Sequence, residues 1–137
     1  MGETYVLDSF ALLALLGREP GGDEMAHLLK EAQAGEARLL MTWVNLGEVA
    51  YIVRRRWGEK RLHRMLATLE ATALEVMPVG RELTLAAARI KAEYPLAYAD
   101  AFAAALAEQA GATLVTGDPE FRLLEESIHI RWLPRNE

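Results

Sequence analysis

The sequence predicts a single α/β domain of three layers, a mainly parallel sheet held between helices. Three observations predict it. Short apolar, β-prone runs alternate with longer segments of helical period, the pattern of βα units. Glycine and proline punctuate most changes of period. The 137 residues, 52% of them apolar, suit one domain spanning 1–137 with one core, and no linker, repeat or low-complexity tract divides them.

Residues 4–7, TYVL, read as a first strand ending at Asp8, and Ser9 to Leu16 as a helix stopped by Gly17. Pro20-Gly21-Gly22 is a loop, after which Asp23 is expected to cap a helix with Met25, Leu28, Leu29 and Ala32 at i, i+3, i+4 and i+7. Gly35 ends that helix. Arg38 to Met41 forms a strand, and Thr42 caps a helix reaching Trp57, stopped by Gly58. Leu62, Met65, Leu66 and Leu69 mark the next helix, and Leu74 to Val79 a strand. A helix from Arg81 to Glu93 precedes Pro95, which breaks the pattern. Ala97 to Ala110 is an alanine-rich helix closed by Gly111, and Ala112 to Thr116 a strand. Gly117-Asp118-Pro119 turns into a short helix with Asp118 as cap and Pro119 at its first position, and Ile128 to Leu133 is the last strand.

Composition removes several kinds of chemistry. Without cysteine there is no disulfide scaffold, thiolate nucleophile or Cys-ligated metal. His27, His63 and His129 show no HExxH or HxH spacing, which argues against a histidine zinc site. No apolar run approaches the ~18–20 residues of a membrane span and no charged-then-apolar leader opens the chain, so a cytoplasmic protein is expected. The net charge of −5 does not suit a general nucleic-acid binder. Residues 54–64 are the exception. Arg54, Arg55, Arg56, Lys60, Arg61 and Arg64 against Glu59 give +5 there and leave −10 for the rest. This segment is either a solvated helix face or a contact for a polyanion.

Of 20 acidic residues only four are Asp: Asp8, Asp23, Asp100 and Asp118. A chain that uses Glu for generic surface carboxylates uses the short one where geometry matters. Asp8 directly follows the first strand, and Asp118 follows the Ala112–Thr116 strand after one glycine. Ligands of parallel α/β sheets gather beyond the carboxyl ends of strands, so these two converge if their strands are neighbours. Asp100 sits in the first turn of a helix with no other charge until Glu108, and Glu48 lies among Val44, Leu46, Val49 and Ala50, with Asn45 on its face. Each acid taken alone also reads as a cap, a dipole partner or an exposed glutamate. Taken together they repel one another and need a counter-charge. A hard divalent cation such as Mg²⁺ or Mn²⁺ supplies it, since it favours oxygen ligands and no soft ligand is present.

The pattern resembles the PIN domain, the fold of VapC-type toxins of toxin–antitoxin pairs. The resemblance rests on YVLDSFALLALL, NLGEVAYIVRRR, YADAFAAALAEQAGATLVTGDPEF and the closing strand, and spans essentially the whole chain. It places the family's acidic positions on Asp8, Glu48, Asp100 and Asp118, and its Ser/Thr position on Thr116. Ser9 follows the first aspartate as it often does in the family, and Glu120 stands where a second aspartate is common.

The resemblance implies a metal-dependent endoribonuclease that hydrolyses RNA phosphodiester bonds, with a small antitoxin partner and a homodimer or higher homo-oligomer. On this reading Asp8 and Asp118 ligate the cation, Asp100 does so directly or through water, and Glu48 orients the attacking water or completes a second site. Thr116 bonds a ligand carboxylate or a phosphate oxygen. With RNA as substrate, the basic segment becomes a backbone contact, against a solvated face or an antitoxin-binding surface, and Trp57 reads as core or interface. Other readings stay open: a PIN-fold partner-binding or RNA-processing protein with no toxin role, or, further off, a phosphoryl-transfer or receiver-type α/β domain. An aspartyl phosphatase wants a second aspartate two residues after the first, where this chain has Phe10. A receiver wants a late lysine, and the last here is Lys91.

Overall fold

The computed structural model describes residues 2–135. The chain runs β1 (Thr4–Leu7), α1 (Ser9–Leu16), α2 (Gly22–Gln33), β2 (Arg38–Thr42), α3 (Trp43–Trp57), α4 (Glu59–Glu70), β3 (Leu74–Met77), α5 (Arg81–Glu93), α6 (Tyr98–Ala110), β4 (Thr113–Thr116), a 3₁₀ turn (Pro119–Leu124) and β5 (Ile130–Trp132). All strand pairings are parallel, in the order β3-β2-β1-β4-β5. The sheet is thus wholly parallel where the sequence indicated a mainly parallel one.

Period-2 alternation divides the core in two. Tyr5 and Leu7 of β1 and Leu39 and Met41 of β2 face α1 to α4, packed with Leu12, Met25, Leu28, Val49 and Val53. Val6, Leu40 and Leu114 face the other way, onto Leu83, Ala87 and Ile90 of α5 and the alanines of α6. Burial on both faces explains why the strands read as continuous apolar runs. In α6 every residue from Asp100 to Ala107 is buried, and small side chains let this helix lie close to both α5 and the sheet.

Strand order fixes where a ligand can sit. From β1 the chain adds β2 and β3 on one side, then crosses back to place β4 and β5 on the other. The switch point lies between the carboxyl ends of β1 and β4, where a parallel sheet opens a crevice.

Several boundaries differ from the sequence reading. Asp23 does not cap α2. Gly21 stands at the cap with φ +93°, a left-handed conformation that favours glycine, and Asp23 sits inside the first turn, where a carboxylate favours the helix dipole. β3 ends at Met77, because Pro78 has no N–H to give a ladder. α6 begins at Tyr98 with Ala97 as cap, β4 begins at Thr113, and β5 spans only Ile130–Trp132. No helix among the described residues is long and apolar enough to cross a membrane.

Candidate active site

Two of the acids leave strand ends side by side. β1 and β4 are paired, with Leu7 opposite Val115, so Asp8 and Thr116 follow in register at the carboxyl edge. Asp8 is almost fully buried, and both its oxygens are engaged. Oδ1 accepts from the Ala11 N–H at 2.9 Å, capping α1, while Oδ2 accepts from the Thr116 hydroxyl. The same Thr116 oxygen accepts from the Asp118 N–H at 3.0 Å. Thr116, buried in β4, therefore ties the two aspartate-bearing segments together. Asp118 caps the 3₁₀ turn, its Oδ1 accepting from the Glu120 N–H at 3.0 Å, with Pro119 next as the sequence indicated. Asp8 and Asp118 are thus caps as well as members of the acidic cluster.

Gly117 leaves room for Phe10. A Cβ there would lie 2.3 Å from Cε1 of the Phe10 ring, so that ring would have to move to admit a side chain where β4 leads into Asp118.

α6 and α3 bring the other acids. Asp100 is 7% exposed, within a helix otherwise walled by alanine. Asn45, wholly buried, fixes this helix: its amide donates to the Ala99 carbonyl at 2.9 Å and accepts from the Thr42 hydroxyl at 2.5 Å. Thr42 caps α3 by accepting from the Asn45 N–H at 3.0 Å. Glu48, half-buried one turn further along α3, accepts from the Ser9 hydroxyl at 2.5 Å. Ser9 and Asn45 therefore each hold one acid-bearing segment in place, and Thr116 holds two.

Single carboxylate oxygens of Asp100, Asp118 and Glu120 lie within 4.8 Å of one another. Asp8 and Glu48 stand outside that trio but within electrostatic reach of it. Burial pushes the Asp100 carboxyl up to about 8, with Asp118, Asp8, Glu48 and Glu120 adding repulsion and no hydrogen bond opposing it. Burial likewise raises Asp8 to about 7; the bonds from Thr116 and Ala11 pull it down, and Asp118 and Glu48 push it up. Among the described residues no ion pair involves any of these five acids. Crowded oxygen donors lacking a protein cation suit a hard divalent ion such as Mg²⁺ or Mn²⁺.

The basic segment lies apart from this edge. Arg54 follows Glu48 by six residues, about 9 Å of helix rise, on the side away from Thr42. Arg54, Arg55, Arg56, Lys60, Arg61 and Arg64 are exposed where α3 passes into α4. Arg55 lies over the Tyr51 ring at 5.2 Å and Arg61 over the Trp57 ring at 4.7 Å, and Trp57 packs against the core. Beside it, an apolar groove of about 330 Å³ runs between Leu15, Leu16, Leu29, Val53, Trp57 and Met65.

A carboxylate cluster at the switch point of a parallel α/β sheet is thus the defining feature of the molecule. The chain belongs to the PIN domain family, whose model matches residues 5–126. Its fold is similar to those of solved toxin–antitoxin proteins. One is VapBC2 from Rickettsia felis, bound to a DNA fragment from their promoter, at 17% identity and a TM-score of 0.75 over 96% of this chain and 99% of that one. Another is the DNA-bound VapBC of Salmonella typhimurium, at 18% identity and a TM-score of 0.75 over 96% and 98%. A third is VapC20 of Mycobacterium tuberculosis, described as a Sarcin-Ricin loop cleaving toxin, at 21% identity and a TM-score of 0.65 over 90% and 95%. Comparison with curated protein sequences finds no match.

Proposed function

We propose that the protein is a divalent-metal-dependent endoribonuclease, the toxin of a toxin–antitoxin pair. The observation that supports this most directly is the meeting of Asp100, Asp118 and Glu120 beside Asp8 and Glu48, with no ion-paired cation among the described residues. Membership of the PIN family and the likeness to VapC folds support the class of reaction.

Asp100, Asp118 and Glu120 hold the Mg²⁺ or Mn²⁺, and Asp8 supports them. When bound, such an ion polarises the scissile phosphate and acidifies the attacking water. Thr116 keeps Asp8 and Asp118 at a fixed separation. Glu48, oriented by Ser9, accepts a hydrogen bond from the attacking water on the α1–α3 side. Asn45 sets the pitch of α6 and hence the position of Asp100. Arg54, Arg55, Arg56, Lys60, Arg61 and Arg64 bind RNA backbone that extends beyond this edge. The antitoxin's apolar side chains dock in the groove beside Trp57. The exposed Trp43 and Tyr98, which head α3 and α6, contribute to a homodimer face. The protein acts in the cytoplasm, as one domain.

The test is cleavage of a labelled RNA by the purified protein. Mg²⁺ or Mn²⁺ should support hydrolysis and EDTA should stop it. Undiminished cleavage in chelator overturns the reading, because the carboxylates offer no other electrophile.

A further inference from the structure

A polyanion reaching a five-carboxylate edge needs cations beside that edge, and the 54–64 segment lies elsewhere. Two arginines in the second half of the chain do lie beside it. One hollow, of about 350 Å³, is lined by Phe10, Glu19, Pro20, Asp118, Pro119 and Arg135. A second, of about 480 Å³, has Gly117, Pro119, Arg122, Glu125, Trp132 and Arg135 in its walls. The two share Pro119 and Arg135. Together they form a continuous depression leading from Asp118 along the 3₁₀ turn to the end of β5.

Two guanidiniums in this depression, those of Arg122 and Arg135, can meet an anion. Arg122 and Arg135 enter no ion pair among the described residues, whereas Arg131 of the adjoining β5 pairs with Glu24. Three carboxylates also line it, Glu19, Glu125 and Asp118, of which Asp118 is taken up by the ion on the ribonuclease reading. Glu125 is engaged, its Oε2 accepting from Trp132 Nε1 at 3.0 Å, and this bond holds the indole as a wall of the second hollow. A guanidinium presents a planar fork of donors that matches phosphate oxygens two at a time. Arg135, shared by both hollows, and Arg122, in the second, suit successive phosphates of a strand whose next phosphate lies at Asp118.

We propose that Arg122 and Arg135 bind the phosphates of single-stranded RNA flanking the one held at the carboxylate edge. This subsite rests on the ribonuclease reading and adds to it the path by which the strand leaves the site. Phosphate contacts of this kind fix register and orientation without reading sequence.

The experiment measures binding and turnover separately. Binding of a fluorescent single-stranded RNA is followed across KCl concentrations in Mg²⁺, with turnover blocked by Asp8→Asn. Arg122→Gln and Arg135→Gln should each lower the slope of log K against log salt by about 0.7, and the double variant by about 1.4. Arg122→Lys/Arg135→Lys, which keeps both charges, should restore the slope. With Asp8 intact, the double Gln variant should raise KM for RNA cleavage about threefold or more while kcat changes less than about twofold. Melting temperatures matching the parent protein show that the fold is kept, and if the Gln pair unfolds, the single variants carry the test. An unchanged slope and KM overturn the subsite, even where RNA is cleaved normally. Loss of a protein partner with the RNA slope intact also overturns it. A falling slope in a protein that never cleaves RNA retains the phosphate subsite and rejects only the nuclease reading.

Discussion

Asp100 shows how one residue sets the chemistry of the site. It is buried, accepts no hydrogen bond among the described residues, and is faced by four other carboxylates, so it keeps its proton until pH reaches about 8. Asp8 does so until about 7. The ordinary value for both is 3.8. A carboxyl with a raised native pKa binds more protons folded than unfolded, so its stabilising contribution is full below the unfolded value and is lost as pH rises through the native one. The metal-free protein should therefore melt at progressively lower temperature as pH rises from about 4 to about 8. Asp100→Asn should flatten that decline, and saturating Mn²⁺ should reverse it, because the ion binds only the folded, ionised site. A melting temperature independent of pH across this range would contradict the cluster.

The amide series separates site from scaffold at the same scale. Asn caps a helix about as well as Asp, so Asp8→Asn and Asp118→Asn keep the caps on α1 and the 3₁₀ turn. Removing one of several crowded charges also relieves repulsion. Metal-free stability should hold or rise in Asp8→Asn, Asp100→Asn and Asp118→Asn, while cleavage falls by about two orders of magnitude or more. Melting curves with and without Mn²⁺, run beside an RNA cleavage assay, check both. Glu48→Gln should lose less, since Glu48 stands outside the trio and, unlike Asp8, is not tied to Asp118 through Thr116.

Among the elements, α3 links the two sides of the site. Its cap, its buried amide and its half-buried glutamate bond in turn to its own first turn, to α6 and to α1. Asn45→Ala keeps the backbone N–H that Thr42 caps but removes the acceptor of the Thr42 hydroxyl proton and the side-chain donor to the Ala99 carbonyl, at a cost of about 2–3 kcal/mol. Chemical denaturation should show this loss, and kcat should fall as well because α6 carries Asp100. A variant with full activity and stability would remove Asn45 from its bracing role. Much of this level is legible in the sequence. Glycines and prolines mark the turns, apolar period marks α2, α4 and α5, and short continuous apolar runs mark the strands. Scarcity of Asp picks out Asp8, Asp100 and Asp118, because capping and close convergence both need the short side chain. What fails is local or long-range. Asp23 reads as a cap because the left-handed freedom of Gly21 is invisible in a residue pattern. Glu120, which the resemblance left as an accessory, joins the trio because the 3₁₀ turn folds it back toward Asp118. Arg122 and Arg135 carry no local signal, since only the placement of β5 beside β4 brings them to the same depression.

For the whole molecule, charge is separated along the chain and in space. The carboxylates crowd the switch point, while the +5 segment sits where α3 passes into α4, at least about 9 Å of helix rise beyond Glu48. A strand filling only the carboxylate edge does not reach that segment, whereas a longer one does. Arg55→Gln/Arg56→Gln/Arg61→Gln should therefore weaken binding of a long RNA and flatten its salt dependence by about 2, at roughly 0.7 per lost phosphate contact, while leaving binding of a very short oligonucleotide unchanged. The kcat at saturating RNA should also stay the same, because none of the three touches the carboxylates. Stability should fall modestly, since Arg55 and Arg61 lie over the Tyr51 and Trp57 rings and such contacts are worth about 0.5–1 kcal/mol each at exposed sites. Lys at the same three positions keeps the charge and should keep the salt slope. Fluorescence anisotropy with RNAs of two lengths, run across salt, reads all of these quantities. A slope unchanged at both lengths would make the segment a solvated helix face. An equal loss at both lengths would mean that the segment reaches the scissile phosphate, against the placement of α3 on the sheet.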